Sequence, residues 1–387
     1  MRRRSLWVTL SLLAAAVQLT GRQTVHSQQP SLLEEGRQIF RFDTFGDERF
    51  WTDKLLMNEV IETAVDPTTA LSVGLKVDAD AVPAEVLATA DLTSPATTVA
   101  LLKLNAVVGL KGTVVNDGTG DRLERVGITC ALCHSTVDNS VAPGIGRRLD
   151  GWPNLTLNPG AIIALSPVLT EAQRNVYKSW GAGRYDPRFN IDGQNGPVPI
   201  PPAYGLAGSP HATFTGDGDI SYWNNYVAVT QMGGQGEFVE PRLGISFLLP
   251  PGTPDLVKPK LPALRAYQES LAAPPPPSGS FDAGAAGRGR AIFMGGARCG
   301  SCHRPPALTE ETLHEPAATG SDPTYATRSA SKRYRTTPLR GLWQHAPYFH
   351  DGSAATLEAV VERYRVTLGL TLTPKQRADL VEYLKSL

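Results

Sequence analysis

Cysteine and methionine are scarce in this chain, four of each, and histidine is little commoner at seven. Beyond the first thirty positions no apolar run approaches the roughly twenty residues needed to cross a bilayer. Lys and Arg number 37 against 37 Asp and Glu, and they nowhere gather into the basic stripe that nucleic acid demands. These absences exclude a membrane span in the mature chain and a nucleic-acid partner. Four cysteines in an exported chain would ordinarily be read as disulfides. Their placement points elsewhere.

All four fall in two copies of C-x-x-C-H, Cys130-Ala131-Leu132-Cys133-His134 and Cys299-Gly300-Ser301-Cys302-His303. That pattern reads as covalent c-type haem attachment. Two intervening residues bring both sulfurs to one side, facing the ring edge, with the next imidazole beneath the metal. A four-cysteine zinc site needs neither histidine, and a redox dithiol expects a βαβ context that is missing. The expectation is two covalently bound haem c groups, with His134 and His303 as proximal iron ligands.

The N-terminus fits export. Met1-Arg2-Arg3-Arg4 is a basic start, Leu6 to Leu19 a short apolar run, and Val25-His26-Ser27 a small-residue cleavage site. Residues 1–27 therefore read as a signal peptide and the location as periplasmic, an uncleaved anchor being the alternative. Arg2, Arg3, Arg4 and Arg22 would leave with it, turning a balance of 37 basic and 37 acidic residues into a net charge of −4.

Thirty-seven Gly and 31 Pro make the chain loop-rich, and a large buried cofactor supplies core surface that orders such loops. The proline run Pro274 to Pro277 marks a semi-rigid linker over 273–280. It separates a first haem domain, 30–272, from a second, 281–387. Gly36-Arg37-Gln38-Ile39-Phe40 is echoed by Gly289-Arg290-Ala291-Ile292-Phe293. The repeated glycine suggests close helix–helix approach, since glycine otherwise weakens a helix. The first Cys follows it by 10 residues in the second half and by 94 in the first, which implies an insertion of about 84 residues over about 42–125. Within it Val82 to Val107 reads as helical, with a break and new start at Thr93-Ser94-Pro95. Leu261 to Leu271 reads as a helix, and Thr373-Pro374 caps a last one bearing Leu380, Val381, Leu384 and Leu387. The expected fold is mainly α, with two cytochrome c-like haem domains.

Tyr334-Arg335-Thr336-Thr337-Pro338-Leu339-Arg340-Gly341-Leu342-Trp343, followed by Ala346-Pro347-Tyr348-Phe349-His350-Asp351-Gly352-Ser353-Ala354-Ala355-Thr356-Leu357-Glu358, resembles the C-terminal haem domain of the bacterial di-haem cytochrome c peroxidase family. That family also includes the di-haem maturation enzyme of methylamine dehydrogenase. The resemblance covers roughly 260–387, and in the first half is confined to the haem motif. It implies two α-helical cytochrome c domains facing each other. It also implies reduction of hydrogen peroxide with electrons from a small redox donor, which pass from a C-terminal to an N-terminal haem. A calcium ion between the domains, present in some relatives, is implied by resemblance only. His350 falls on the family's histidine beside a haem propionate, and Tyr364 on the position of its distal ligand.

The residues themselves bear on ligation. No methionine follows Cys302, so His/Met ligation, which raises the potential, is unavailable from downstream in that domain. Tyr364, His345, His350, His314 or an open site remain. Leu357, Val360, Val361 and Tyr364 form an i, i+3, i+4, i+7 stripe, which turns Tyr364 toward the core, as ligand or as packing. For the first haem, Met232, Met57 and His211 are the sixth-ligand candidates. Glu237 is the one acid near Trp223 in that stretch and so the candidate distal base for peroxide, set against a solvated surface carboxylate. The functional expectation is an exported di-haem electron-transfer protein resembling cytochrome c peroxidases. The alternative is a non-enzymatic electron carrier or a haem-containing partner subunit.

Overall fold

A helix pair anchors each end of the described chain. The computed structural model describes residues 31–387, so the signal segment expected over 1–27 lies outside the described residues. Helix α1 (Leu32–Phe42) starts at Ser31, whose hydroxyl accepts from the Glu34 amide at 3.2 Å. It packs along α2 (Leu261–Ser270). Helix α3 (Ala283–Met294), capped by Asp282, packs along α5 (Pro374–Lys385), whose Thr373 and Gln376 bond reciprocally. Between them in sequence, α4 (Leu357–Thr367) leans on α5.

Both pairs close on the repeated glycine. A Cβ on Gly36 would lie 2.0 Å from the Ala263 carbonyl oxygen, and one on Gly289 would lie 1.9 Å from that of Asp379. Only glycine lets the backbones meet there. The close approach expected from the repeat is present at both copies. The partner of α1 had not been foreseen: it is α2, some 220 residues away and just ahead of the proline run.

Residues 42–125 supply most of an apolar cluster around Trp51, Leu102 and Leu123, which Leu132, Leu157 and Ile200 complete. The helix Pro95–Lys103 begins where the Thr93-Ser94-Pro95 break was read. Next comes an antiparallel hairpin, β1 (Leu110–Asn116) and β2 (Asp121–Ile128), which feeds straight into the first haem motif. The described residues are about 41% helix and 13% strand. The mainly α expectation holds, with six two-stranded pieces added to it. Asn116-Asp117-Gly118-Thr119-Gly120 between apolar runs was the legible hairpin signal.

Residues 184–217 lie against the C-terminal part. Arg328, itself buried, reaches Asp186 at 2.9 Å and Asp192 at 2.7 Å. Removing one partner of such a pair strands a buried charge at a cost of about 3–5 kcal/mol. No helix of the described residues is long and apolar enough to cross a membrane.

Gly289→Ala tests the crossing. Alanine is the better helix former by about 1 kcal/mol, yet overpacking against the Asp379 carbonyl should cost about 1–3 kcal/mol. Denaturant unfolding should show a net loss; a more stable variant would contradict the contact.

Candidate haem sites

Each motif folds as a single tight turn. The His134 amide donates to the Cys130 carbonyl at 3.2 Å, and the His303 amide to that of Cys299 at 2.9 Å. At the second motif Cys299, Cys302 and His303 all face one cavity. Cys130 packs against the cluster around Phe40 and Tyr226, Cys133 against that around Trp51 and Leu102. Burial pushes the Cys130 and Cys133 thiols up to about 12 and Cys299 up to about 11. Thiols held protonated in this way are poor zinc ligands and slow in disulfide exchange, and no disulfide joins the four.

The two imidazoles are anchored alike. His134 Nδ1 lies 3.0 Å from the Pro201 carbonyl oxygen and His303 Nδ1 lies 3.0 Å from that of Leu308. A carbonyl only accepts, so each Nδ1 carries the proton and each Nε2 is left with its lone pair. A bond of this kind from the other ring nitrogen is what orients a metal-ligating histidine. Burial pushes His134 down to about 4 and lowers His303, keeping both rings neutral.

A cavity of about 590 Å³ opens beside the second motif, within the range of cofactor pockets. Cys299, Cys302, His303 and Tyr364 line it, with Leu380 and Leu384 of α5. Residues 199–206 of the first half form part of its wall. Tyr364 is packed into that wall, its phenol pushed up to about 12 chiefly by burial, and its hydroxyl has no protein hydrogen-bond partner among the described residues. His350 is buried and stacked 4.4 Å from the Tyr334 ring. The Tyr334 hydroxyl takes a bond from the Ala326 amide and lies 2.6 Å from the Asp322 carbonyl oxygen. Its one proton goes to that carbonyl, so His350 Nε2, 2.9 Å away, must be the donor to it.

Arg335 is an orphaned charge in this wall. One guanidinium nitrogen donates to the His211 carbonyl, but Nε is buried without a partner. No carboxylate lies within 4 Å of it among the described residues, and burial alone pushes it down to about 10. The buried Arg188 and Arg328, by contrast, have Asp217 and Asp186. A haem carries two carboxylates, and this is where one would be neutralised. The donor set, the cavity and the orphaned guanidinium all fit a porphyrin at the second motif.

The comparisons agree for this end of the chain. Residues 333–366 match the family described as RoxA-like, cytochrome c-like. The C-terminal end is cytochrome c-like. Over 118 residues the chain is 32% identical to the methylamine utilization protein MauG of Methylorubrum extorquens, covering 26% of this chain and 33% of that protein. The chain thus matches about a third of the length of this curated relative. Among solved structures it is similar to a hydrazine synthase of Kuenenia stuttgartiensis, at 18% identity over 50% of this chain and 73% of that one, with a TM-score of 0.35. It is also similar to a MauG-like protein associated with microbial copper homeostasis, at 21% identity over 35% and 54% of the two chains, with a TM-score of 0.28. The resemblance read from Tyr334 to Glu358 stands, and the cytochrome c-like end points to haem c.

The other residues singled out from sequence fall as follows. His345 lines the cytochrome c-like cavity. His314 is held by Glu310 at 3.0 Å. Cys302, Glu310 and His314 bring their ligand atoms within 4.8 Å of one another; a thioether at Cys302 would leave Glu310 and His314 alone. Met232 is buried in the cluster that contains Ala131 of the first motif, while Met57 packs in the Trp51 cluster. His211 Nε2 lies 2.8 Å from the Glu311 carbonyl oxygen. Glu237 is part-exposed, paired with Lys258 at 3.1 Å and held below the usual carboxylate range by that bond. A surface ion pair, not a distal base, is what its surroundings support. Sequence reasoning missed Arg335, quoted only as part of a motif run, and the two carbonyl anchors, which have no side-chain signal.

Asp47, fully buried, was also missed. It sits under the strand entering the first motif, 3.3 Å from the Ile128 amide. Burial, with repulsion from Glu48, pushes its carboxyl up from 3.8 to about 9. The folded state therefore holds a proton that the unfolded state releases, and stability should fall as pH rises from about 4 to about 9. Asp47→Asn should flatten that part of the profile in urea unfolding at pH 5 and pH 8; an unchanged slope would contradict it. Arg335→Leu should lower the potential of a haem bound at the second motif, because a lost cation favours ferric iron. A tenfold shift in the redox equilibrium, about 59 mV, is expected in a spectroelectrochemical titration, with Arg335→Lys retaining most of the potential. A Leu variant at the parent potential would remove Arg335 from the site.

Proposed function

We propose that this protein is an exported di-haem c-type cytochrome that reduces hydrogen peroxide with electrons from a small redox protein. The observation that carries the reading is the matched pair of anchored histidines, His134 on Pro201 and His303 on Leu308. Similar rings after similar C-x-x-C turns support similar iron ligation at both. Bound haem would supply one-electron redox chemistry and, where a coordination position is open, activation of peroxide.

This chain's own residues then have distinct parts. Cys130 and Cys133, Cys299 and Cys302 fix the two rings by thioether bonds. His134 and His303 present neutral Nε2 atoms. Arg335 neutralises a propionate, and Tyr364 is the residue of the C-terminal cavity best able to approach iron from the core. Trp152, close to the first motif, meets Trp343 edge-on at 5.7 Å and Tyr204 at 6.4 Å. These contacts supply a short aromatic route between the two halves. The basic start and apolar run of residues 1–27 support export to the periplasm. The acidic balance of the remaining chain suits a basic donor.

A second reading has an observation of its own. Met232 is buried beside the first motif and Tyr364 in the cavity of the second. If both bind iron, neither site is open and the protein is an electron carrier. Ferric and ferrous spectra, then hydrogen peroxide with a reduced small cytochrome, separate the two. The peroxidase reading expects one high-spin haem and donor oxidation that His134→Gly abolishes and Glu237→Gln leaves intact. Two low-spin haems indifferent to peroxide would overturn it in favour of the carrier.

A further inference from the structure

We propose that Tyr185, Trp180 and Tyr177 form a relay that brings electrons from small phenolic reductants at the protein surface to the first motif, a second entry besides the redox-protein donor. The inference rests on the peroxidase reading and adds to it a substrate class and the place where that substrate reacts.

The line of rings begins at the first motif. Tyr185 and Cys133 pack against the same apolar cluster. Burial first, and the nearby Cys133 after it, hold the Tyr185 phenol well above its usual range. The Trp180 ring meets Tyr185 edge-on at 5.3 Å, and Tyr177 meets Trp180 at 5.0 Å. Trp180 is buried, whereas Tyr177 is part-exposed, so the line ends at solvent. Phe189 stands edge-on to both outer rings, 5.5 Å from Tyr177 and 5.9 Å from Trp180, and holds them together. A Cβ on Gly160 would lie 1.9 Å from the Tyr177 carbonyl oxygen. The helix Glu171–Lys178 that carries Tyr177 is therefore seated directly on the helix Pro159–Ile163. None of the three rings lines the cavity of the second motif.

Proton positions decide which ring does what. The Tyr185 hydroxyl donates to Gln231 Oε1 at 2.9 Å, and Gln231 Nε2 donates to Asn190 Oδ1 at 2.9 Å, which fixes that amide as the acceptor. An amide oxygen is no base, so buried Tyr185 keeps its proton and serves as a bridge past which electrons tunnel. Trp180 donates Nε1–H to Asn195 Oδ1 at 2.9 Å, again an amide. An indole gives up an electron without giving up its proton, so Trp180 is the buried station, and no proton has to be left in an apolar interior. Trp180 passes one electron inward, toward the first motif, and takes one from Tyr177, whose phenolic proton goes to water. A phenol in solution then returns an electron and a proton to Tyr177. Peroxide takes up two electrons and two protons to give two water molecules, so two phenols are oxidised to phenoxyl radicals for each peroxide reduced.

The test is made on the full-length holoprotein with hydrogen peroxide and no donor, in the presence of a nitroso spin trap, followed by peptide mapping. The haem spectrum and peroxide consumption are recorded alongside. The parent should carry the adduct on Tyr177, and an added small phenol should suppress it. Tyr177→Phe, which removes only a part-exposed hydroxyl, should move the adduct to Trp180. Trp180→Phe should lose the Tyr177 adduct while peroxide is still consumed, and Tyr185→Phe, which keeps the bridging ring, should retain it. A Tyr177 adduct undiminished in Trp180→Phe would overturn the relay, as would a parent that consumes peroxide without labelling Tyr177. Should Trp180→Phe fail to fold, Tyr177→Phe decides alone, and an unlabelled Trp180 there overturns the relay. A parent indifferent to peroxide would instead refute the peroxidase reading on which it stands.

Discussion

An imidazole can serve iron through one nitrogen only when the other is committed, and this structure commits Nδ1 of both His134 and His303 to backbone carbonyls. Everything proposed for the protein follows from that pair of bonds. They fix the tautomer and leave Nε2 with its lone pair, while burial keeps the rings neutral. Because the acceptors are main-chain atoms, the loops that carry them must be held as firmly as the ligands.

The two sites are held differently. Leu308 follows His303 by only five residues, so the second motif carries its own anchor, in a cavity lined by α3, α4 and α5 together with part of the first half. Pro201 lies 67 residues beyond His134, in a segment that is also the wall of the other cavity. The first site therefore depends on the C-terminal part for its ligand geometry. Arg328 on Asp186 and Asp192, together with Arg340 on Gly205, keeps that dependence rigid. A chain built this way resists being read as two beads on a proline string, although each bead keeps its own glycine-closed helix crossing.

Much of this was legible in the sequence where short-range chemistry sets the outcome. C-x-x-C-H names its ligands, Thr373-Pro374 with Gln376 announces a helix start, and the repeated Gly36 and Gly289 foretold helices that touch backbone to backbone. Tyr334 to Glu358 carried the resemblance that the comparisons support. What stayed hidden depends on long-range geometry. Nothing local says that α1 meets α2, that a carbonyl at Pro201 serves His134, or that Arg335 lacks an acid. Between the two readings of Glu237 the sequence could not choose: its nearness to Trp223 says nothing of Lys258, 21 residues on, which pairs with it. The hairpin before the first motif could have been read from its turn residues, which lie beyond the helical expectation over Val82 to Val107.

The central claim is that porphyrin is bound covalently at both motifs. Intact mass of the protein from a host competent in c-type haem maturation, with peptide mapping of the modified residues, tests it most directly. The account predicts two haem additions, one on Cys130 and Cys133 and one on Cys299 and Cys302. An unmodified pair at either motif, in protein that is otherwise folded, would contradict it.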